Sequence, residues 1–219
     1  DHSDRLYTAV SACRRRQRRT RALVERVGTV RDLFALLRDH GEGNPYPRYS
    51  WINGGMAAPC MHAGGLAASS QTTASWVSEL SAQGCRHWVT ATAAPCTSLF
   101  KPVYVDRPCD MGHAPTDVAR PSLWWRHECF HRFVMQDPER FFPLFCYERD
   151  SVEKEWTENP LDSAQAFAQH EQLLDPWAEK VTRAFVRDVR PVWVRRYWTR
   201  RNHRAGLCST PSGSSVSGT

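Results

Sequence analysis

No stretch of this 219-residue chain approaches the roughly 18 consecutive apolar residues of a membrane-crossing helix, so no transmembrane helix and no membrane partner are expected. The opening DHSDRLYTAV lacks the basic-then-apolar pattern of a secretion signal. It also lacks an initiator Met, which reads as a piece of a longer chain. Lysine is scarce: Lys101, Lys154 and Lys180 are the only ones, and every other positive charge is Arg. Cysteine occurs 8 times, too thinly for a small disulfide scaffold. Without a secretion signal, reduced thiols and a cytoplasmic location are the expectation. The composition is not that of a disordered chain either, since 41% of residues are hydrophobic and 9 Trp and 9 Phe are available to bury area.

What is present is unevenly spread. Residues 1–40 and 183–204 are rich in Arg, while the stretch between them is acidic, within a net charge of +6. Basic clusters attract nucleic acid. However, the run RRRQRRTR at 14–21 has no interleaved aromatics to stack bases. In VWVRRYWTRRNHR at 192–204, arginines snorkelling around a buried Trp stripe explain the pattern as well. No nucleic-acid partner is therefore expected.

Leu6, Ala9 and Val10, then Leu23, Val24 and Val27, predict a helix over 4–27 stopped by Gly28. VRDLFALL (Val30–Leu37) reads as a second helix, capped by Thr29 with Asp32 in its first turn. Residues 40–58 read as a long loop. Strand signals follow at Cys60–His62, Gln71–Leu80, Arg86–Thr92 and Lys101–Val105, joined by connections too short for crossover helices, hence antiparallel. Alternation in QTTASWVSEL puts Thr73, Ser75 and Val77 on one face and Thr72, Ala74, Trp76 and Ser78 on the other, with Trp76 expected between sheet and helices. Gly84 suits a short hairpin after Leu80.

From Pro121 the chain turns helical, with Pro121 at the first helical position and Ser122 in the first turn. Leu123, Trp124, His127, Phe130, His131 and Val134 form a stripe. Residues 139–156, broken at Pro143, then Ser163–Leu174 and Trp177–Val194, continue the pattern, with Pro160, Pro176 and Pro191 as punctuation. The fold class is α+β: one unit over 1–204, with antiparallel strands in about 59–105 flanked by helices, and a disordered low-complexity tail at 205–219.

Three Cys-x-His pairs stand out: Cys60/His62, Cys85/His87 and Cys129/His131. Their spacing is not that of a zinc knuckle. Separately packed thiols and imidazoles are the preferred reading, and no metal ligands are assigned. No nucleophile-elbow or papain-like signature surrounds any cysteine.

Longer strings carry more information. PCMHA (59–63), SQTTASWVSEL (70–80), CRHWVTATAAPCTSLFKPVYV (85–105) and SLWWRHECFH (122–131) resemble the secernin family, relatives of the bacterial cysteine dipeptidases called dipeptidase A. SDRLYT near the start and LLRDH at 36–40 resemble it more loosely. The likeness covers roughly residues 2–150.

That resemblance implies an N-terminal-nucleophile (Ntn) hydrolase, an αββα sandwich that cleaves short peptides through an acyl-enzyme. Family members are about twice this length and carry their nucleophilic Cys near the start of the full chain. This chain begins with Asp1 and so resembles the carboxyl-terminal half, a partial sandwich whose partner would be the missing amino-terminal half. By that reading no residue here is catalytic, the chain alone is inactive, and no metal or organic cofactor is required. Thr72, Thr73 and His62 are the implied substrate-binding residues, with His62 packed rather than acting as a base. Leu99 stands where related enzymes tend to have Arg, and Lys101 is a candidate replacement beside the plainer reading of a surface lysine. The other classes considered are a non-catalytic secernin-like interaction protein and an Arg-rich nucleic-acid binder.

Overall fold

A computed structural model describes residues 4–82 and 84–207. The amino-terminal arginine-rich stretch forms two helices rather than the single one expected: α1 (Arg5–Val10) and α2 (Cys13–Val24). The break falls at Ala12, which takes a left-handed φ of 54° and is buried. Tertiary contact explains it, since Asn53 Nδ2 donates to the Val10 carbonyl (2.8 Å) and takes up an acceptor at the end of α1. α2 ends at Val24, before Gly28. α3 (Val30–Leu37) has the expected cap: Thr29 Oγ1 accepts from the Asp32 amide, and the Asp32 carboxylate accepts from the Thr29 amide (2.8 Å), a reciprocal capping box.

The sheet has three antiparallel strands in the order β1 (Trp76–Ser81), β2 (Gly84–Val89), β3 (Lys101–Val103). Ser81 pairs with Gly84, which takes a φ of 133° that side-chain-bearing residues avoid. The strands are shorter than expected, for identifiable reasons. Cys60–His62 is not a strand; it makes only an isolated bridge from His62 to Gly55. Residues 71–75 stay outside the ladder because Thr72 bonds back to the Met61 carbonyl (3.1 Å). β2 stops before Ala91, whose φ is 49°. β3 stops where the Tyr104 amide turns to Ser163 Oγ (3.2 Å).

The faces also correct one expectation. Trp76 points outward and is 58% exposed, whereas Val77 is the buried neighbour at 4%. Val77 and Trp88 pack with Phe34 of α3 and with Phe100, whose ring stacks on Phe34 at 4.1 Å between centroids. On the opposite face, Trp76, Val89 and Lys101 are successive cross-strand partners. The Val89–Lys101 end of that face is buried, and the end bearing Trp76, Leu80 and Cys85 is open.

α4 (Leu123–Val134) starts two residues later than expected. Ser122 is its N-cap, accepting from the Trp125 amide (3.3 Å), and Pro121 lies outside. α5 (Pro138–Phe141), a 3-10 turn at Phe142–Leu144 and α6 (Cys146–Glu158) follow. α7 (Ser163–Arg183) runs straight through Pro176, where a break was expected. Proline inside a helix costs roughly 3 kcal/mol, but Leu174, Trp177 and Val181 on either side are buried and hold the helix to the core. Residues 184–191, expected to be helical, are not, and α8 (Val192–Ala205) begins after Pro191.

The expected tail is therefore folded at its start: Ala205 ends α8 and its carbonyl accepts from the Ala119 amide (2.8 Å). Residues 208–219 of that tail lie outside the described residues. α4, α6 and α7 enclose a core of Phe130, Phe133, Phe145, Trp156 and Trp177, with Cys60 and Cys96 in the same cluster. No helix among the described residues is long and apolar enough to cross a membrane, and no disulfide joins the described cysteines.

Candidate functional site

The loop after α3 and two later loops converge on one buried point. Arg19 holds Asp39 through a two-pronged ion pair (2.7 and 2.9 Å), and the Cys60 amide donates to the Asp39 carbonyl (3.0 Å), so His40 and Cys60 come together through backbone. Gly55 and His62 exchange backbone hydrogen bonds of 2.8 and 3.2 Å. The Arg149 guanidinium donates to the Cys96 carbonyl and fixes the third loop. Arg38 braces the same loop, donating to the Pro95 and Ser98 carbonyls and pairing with Glu153, whose carboxylate accepts from the Phe100 amide (2.6 Å).

At the meeting point His62 Nε2 lies 3.2 Å from His40 Nε2, 3.3 Å from Cys60 Sγ and 3.6 Å from Cys96 Sγ. The four donor atoms all lie within 4.8 Å of one another, and all four residues are buried. His40 Nδ1 faces the Pro45 carbonyl (3.1 Å), which can only accept. The ring proton is thereby assigned to Nδ1, and the Nε2 lone pair faces the cluster. Among the described residues, His62 Nδ1 has no hydrogen-bond partner. Burial pushes the His62 imidazole well below its ordinary range, reinforced by His40 and His131, and pushes the Cys96 thiol well above its own. A pocket of about 140 Å³ opens beside the cluster, lined by His40, Cys60, Gly41, Asn44 and Arg48 among others.

A second buried polar chain runs alongside. His62 stacks on His131 at 5.4 Å between centroids. Thr97 Oγ1 lies 3.1 Å from His131 Nδ1 and 3.2 Å from His127 Nε2, His170 Nε2 lies 3.1 Å from His127 Nδ1, and Lys101 Nζ lies 3.0 Å from His170 Nδ1. Lys101 also donates to the Thr90 and Leu99 carbonyls, at 2.5 and 2.9 Å. It is wholly buried, not the surface lysine of the plainer reading, and burial lowers its pKa to about 7.

The residues singled out from the sequence fare differently. His62 is at the centre of the cluster. Thr72 Oγ1 accepts from the Met61 amide (3.1 Å) and faces the Pro59 carbonyl (3.4 Å), bracing the loop on both sides of Cys60. Thr73 is exposed and adds no atom to the cluster. Cys60 and His62, expected to pack separately, meet with His40 and Cys96. The other two pairs do not join them: Cys85 is exposed on β2, where His87 bonds Ser78 (2.8 Å), and Cys129 and His131 lie on α4. His40 and Cys96 were not marked in the sequence as partners. The only local signal was the DH ending LLRDH and the PC of AAPCTS, within strings that also fit packing. Glu128 of the HECFH string is fully buried between Arg132 (2.7 Å) and Gln71 (2.9 Å), tying α4 to the loop before β1.

No protein-family profile, curated protein or solved structure matches this chain.

Proposed function

We propose that the chain supplies the carboxyl-terminal part of a secernin-like cysteine dipeptidase in the cytoplasm. In this reading the αββα sandwich is completed, and the nucleophilic Cys and its α-amine contributed, by an amino-terminal half from outside residues 4–207. The observation that carries it is the half-covered sheet. The strings 70–80 and 85–105 resembling the family supply β1, β2 and β3, and one end of the sheet's outer face, with Trp76 and Leu80, has no cover among the described residues. An Ntn sandwich places its second sheet against such a face.

Two of the thiols fit this reading. A cysteine nucleophile acts as thiolate, whereas burial pushes Cys96 well up and Cys146 to about 11. Of the three substrate-binding candidates, Thr73 has the exposed hydroxyl for a peptide's polar end, while Thr72 and His62 hold the adjoining loop. The arginine run has structural work of its own: Arg16 donates to the Met56 carbonyl (2.5 Å) and Arg19 pairs with Asp39.

The purified chain, given a panel of dipeptides, is expected to match the enzyme-free blank. Mixed with the amino-terminal half of a secernin-family dipeptidase beginning at its Cys, it should gain hydrolysis that thiol alkylation abolishes and Thr73→Val weakens. Activity of the chain alone, lost in Cys60→Ser, would overturn the assignment of the nucleophile. Binding of that half without hydrolysis would favour the non-catalytic interaction role.

A further inference from the structure

The geometry points to a structural zinc site in the core, formed by His40 Nε2, His62 Nε2, Cys60 Sγ and Cys96 Sγ.

The three separations centred on His62 Nε2 are close to those of a four-coordinate shell, and the other pairs lie within 4.8 Å. Zinc held tetrahedrally at about 2.0–2.1 Å from nitrogen and 2.3 Å from sulfur sets two nitrogens about 3.3 Å apart and nitrogen about 3.6 Å from sulfur. The observed separations are 3.2 Å between the imidazole nitrogens and 3.3 and 3.6 Å from His62 Nε2 to the two sulfurs.

Hydrogen bonding alone does not account for the convergence. A neutral ring nitrogen carries one proton or one lone pair, yet three groups crowd around His62 Nε2. One ion at the centre of the four satisfies all of them. His40 is already oriented for it, because its Nδ1 proton goes to the Pro45 carbonyl, the outer-sphere bond typical of a metal-ligating histidine.

Charge agrees. Two thiolates and two neutral imidazoles around a dication sum to zero, which suits a site whose four residues are all buried. Binding exchanges the two thiol protons, released to solvent, for the dication. The pocket lined by His40 and Cys60 lies beside two of the four ligands. Two sulfurs and two nitrogens in this arrangement select zinc over oxygen-seeking cations. With all four positions filled by protein, the ion is structural and has no open position for substrate. It would staple the turn after α3, the bridge at residues 55–62 and the loop before β3, a region with little regular structure of its own.

The test uses the chain itself, with zinc and cobalt(II) as probes. Protein purified without chelator should carry about one zinc per chain by elemental mass spectrometry. After removal, cobalt(II) should restore binding with a thiolate-to-metal charge-transfer band and the intense visible bands of a tetrahedral ion. Cys96→Ser and His40→Ala should each lose the metal, whereas Cys85→Ser, changed on the exposed strand, should keep it. The cobalt spectrum of the unmodified chain decides the matter even where a ligand variant fails to fold. A chain that takes up neither metal, an octahedral cobalt spectrum, or a Cys60–Cys96 disulfide found by intact mass would overturn the site. None of these readouts involves peptide hydrolysis, so they stand or fall apart from the dipeptidase reading.

Discussion

Lys101 is the clearest case of a residue whose role depends on distant neighbours. In sequence it is a lysine before a proline, with nothing local to mark it as buried. Its acceptors, Thr90, Leu99 and His170, come from the loop after β2, the residues before β3 and α7. The fold lowers its pKa from 10.5 to about 7, so between those values the unfolded chain holds more proton and stability rises with pH. One group contributes a slope of at most about 1.4 kcal/mol per pH unit. Thermal unfolding followed from about pH 7 to 9 should show that rise, and Lys101→Met should flatten it; an unchanged slope would exonerate Lys101. The same distance problem hid the histidine and thiol cluster. Cys60 and His62 were visible as a pair, but His40 and Cys96 join them through a turn and a loop that no spacing rule encodes. Gly65 is a plainer steric case. A Cβ there would collide with the Ala68 carbonyl and the Asn53 backbone, so Gly65→Ala should cost about 3 kcal/mol or more in urea unfolding.

At the scale of elements, the cap of α3 and the β1–β2 hairpin were legible because their signals are local: Thr29 with Asp32, and Gly84 beside a short connection. The element ends that could not be read were set by tertiary bonds. Asn53 splits the first helix, Thr72 keeps residues 71–75 out of the sheet, and a buried Trp177 carries α7 through Pro176. Alternation correctly separated Val77 from Trp76, but it cannot say which face is covered, since both carry apolar groups. The consequence is a reversed pair of mutational effects. Val77→Asp puts a charge against Phe34 and Trp88 and should unfold the chain, while Trp76→Asp on the open face should cost less than about 1 kcal/mol. Circular dichroism during urea titration separates the two, and equal losses would contradict the assignment of faces.

Across the whole molecule, the buried imidazoles make acid the weak side of the stability profile. His127 and His170 are held well below 6.5, chiefly by burial and next by Lys101. The unfolded chain therefore takes up protons as pH falls below about 6.5 while the folded chain does not. Their contribution is complete above that value and lost below it, at about 1.4 kcal/mol per pH unit for each ring. His170→Gln, which keeps hydrogen-bonding capacity without titrating, should move the fluorescence-detected acid-unfolding midpoint to lower pH; an unmoved midpoint would assign the acid limit to other groups. The scarcity of lysine gives the chain one more property. Lys154 and Lys180 stand exposed on α6 and α7, and Lys101 has no accessible surface at all. Amine-directed reagents therefore find two side chains on the native protein and a third only when the core opens. Acylation of Lys101, read by peptide mass under a short reagent pulse, becomes a covalent clock for global opening, built in without any engineered label.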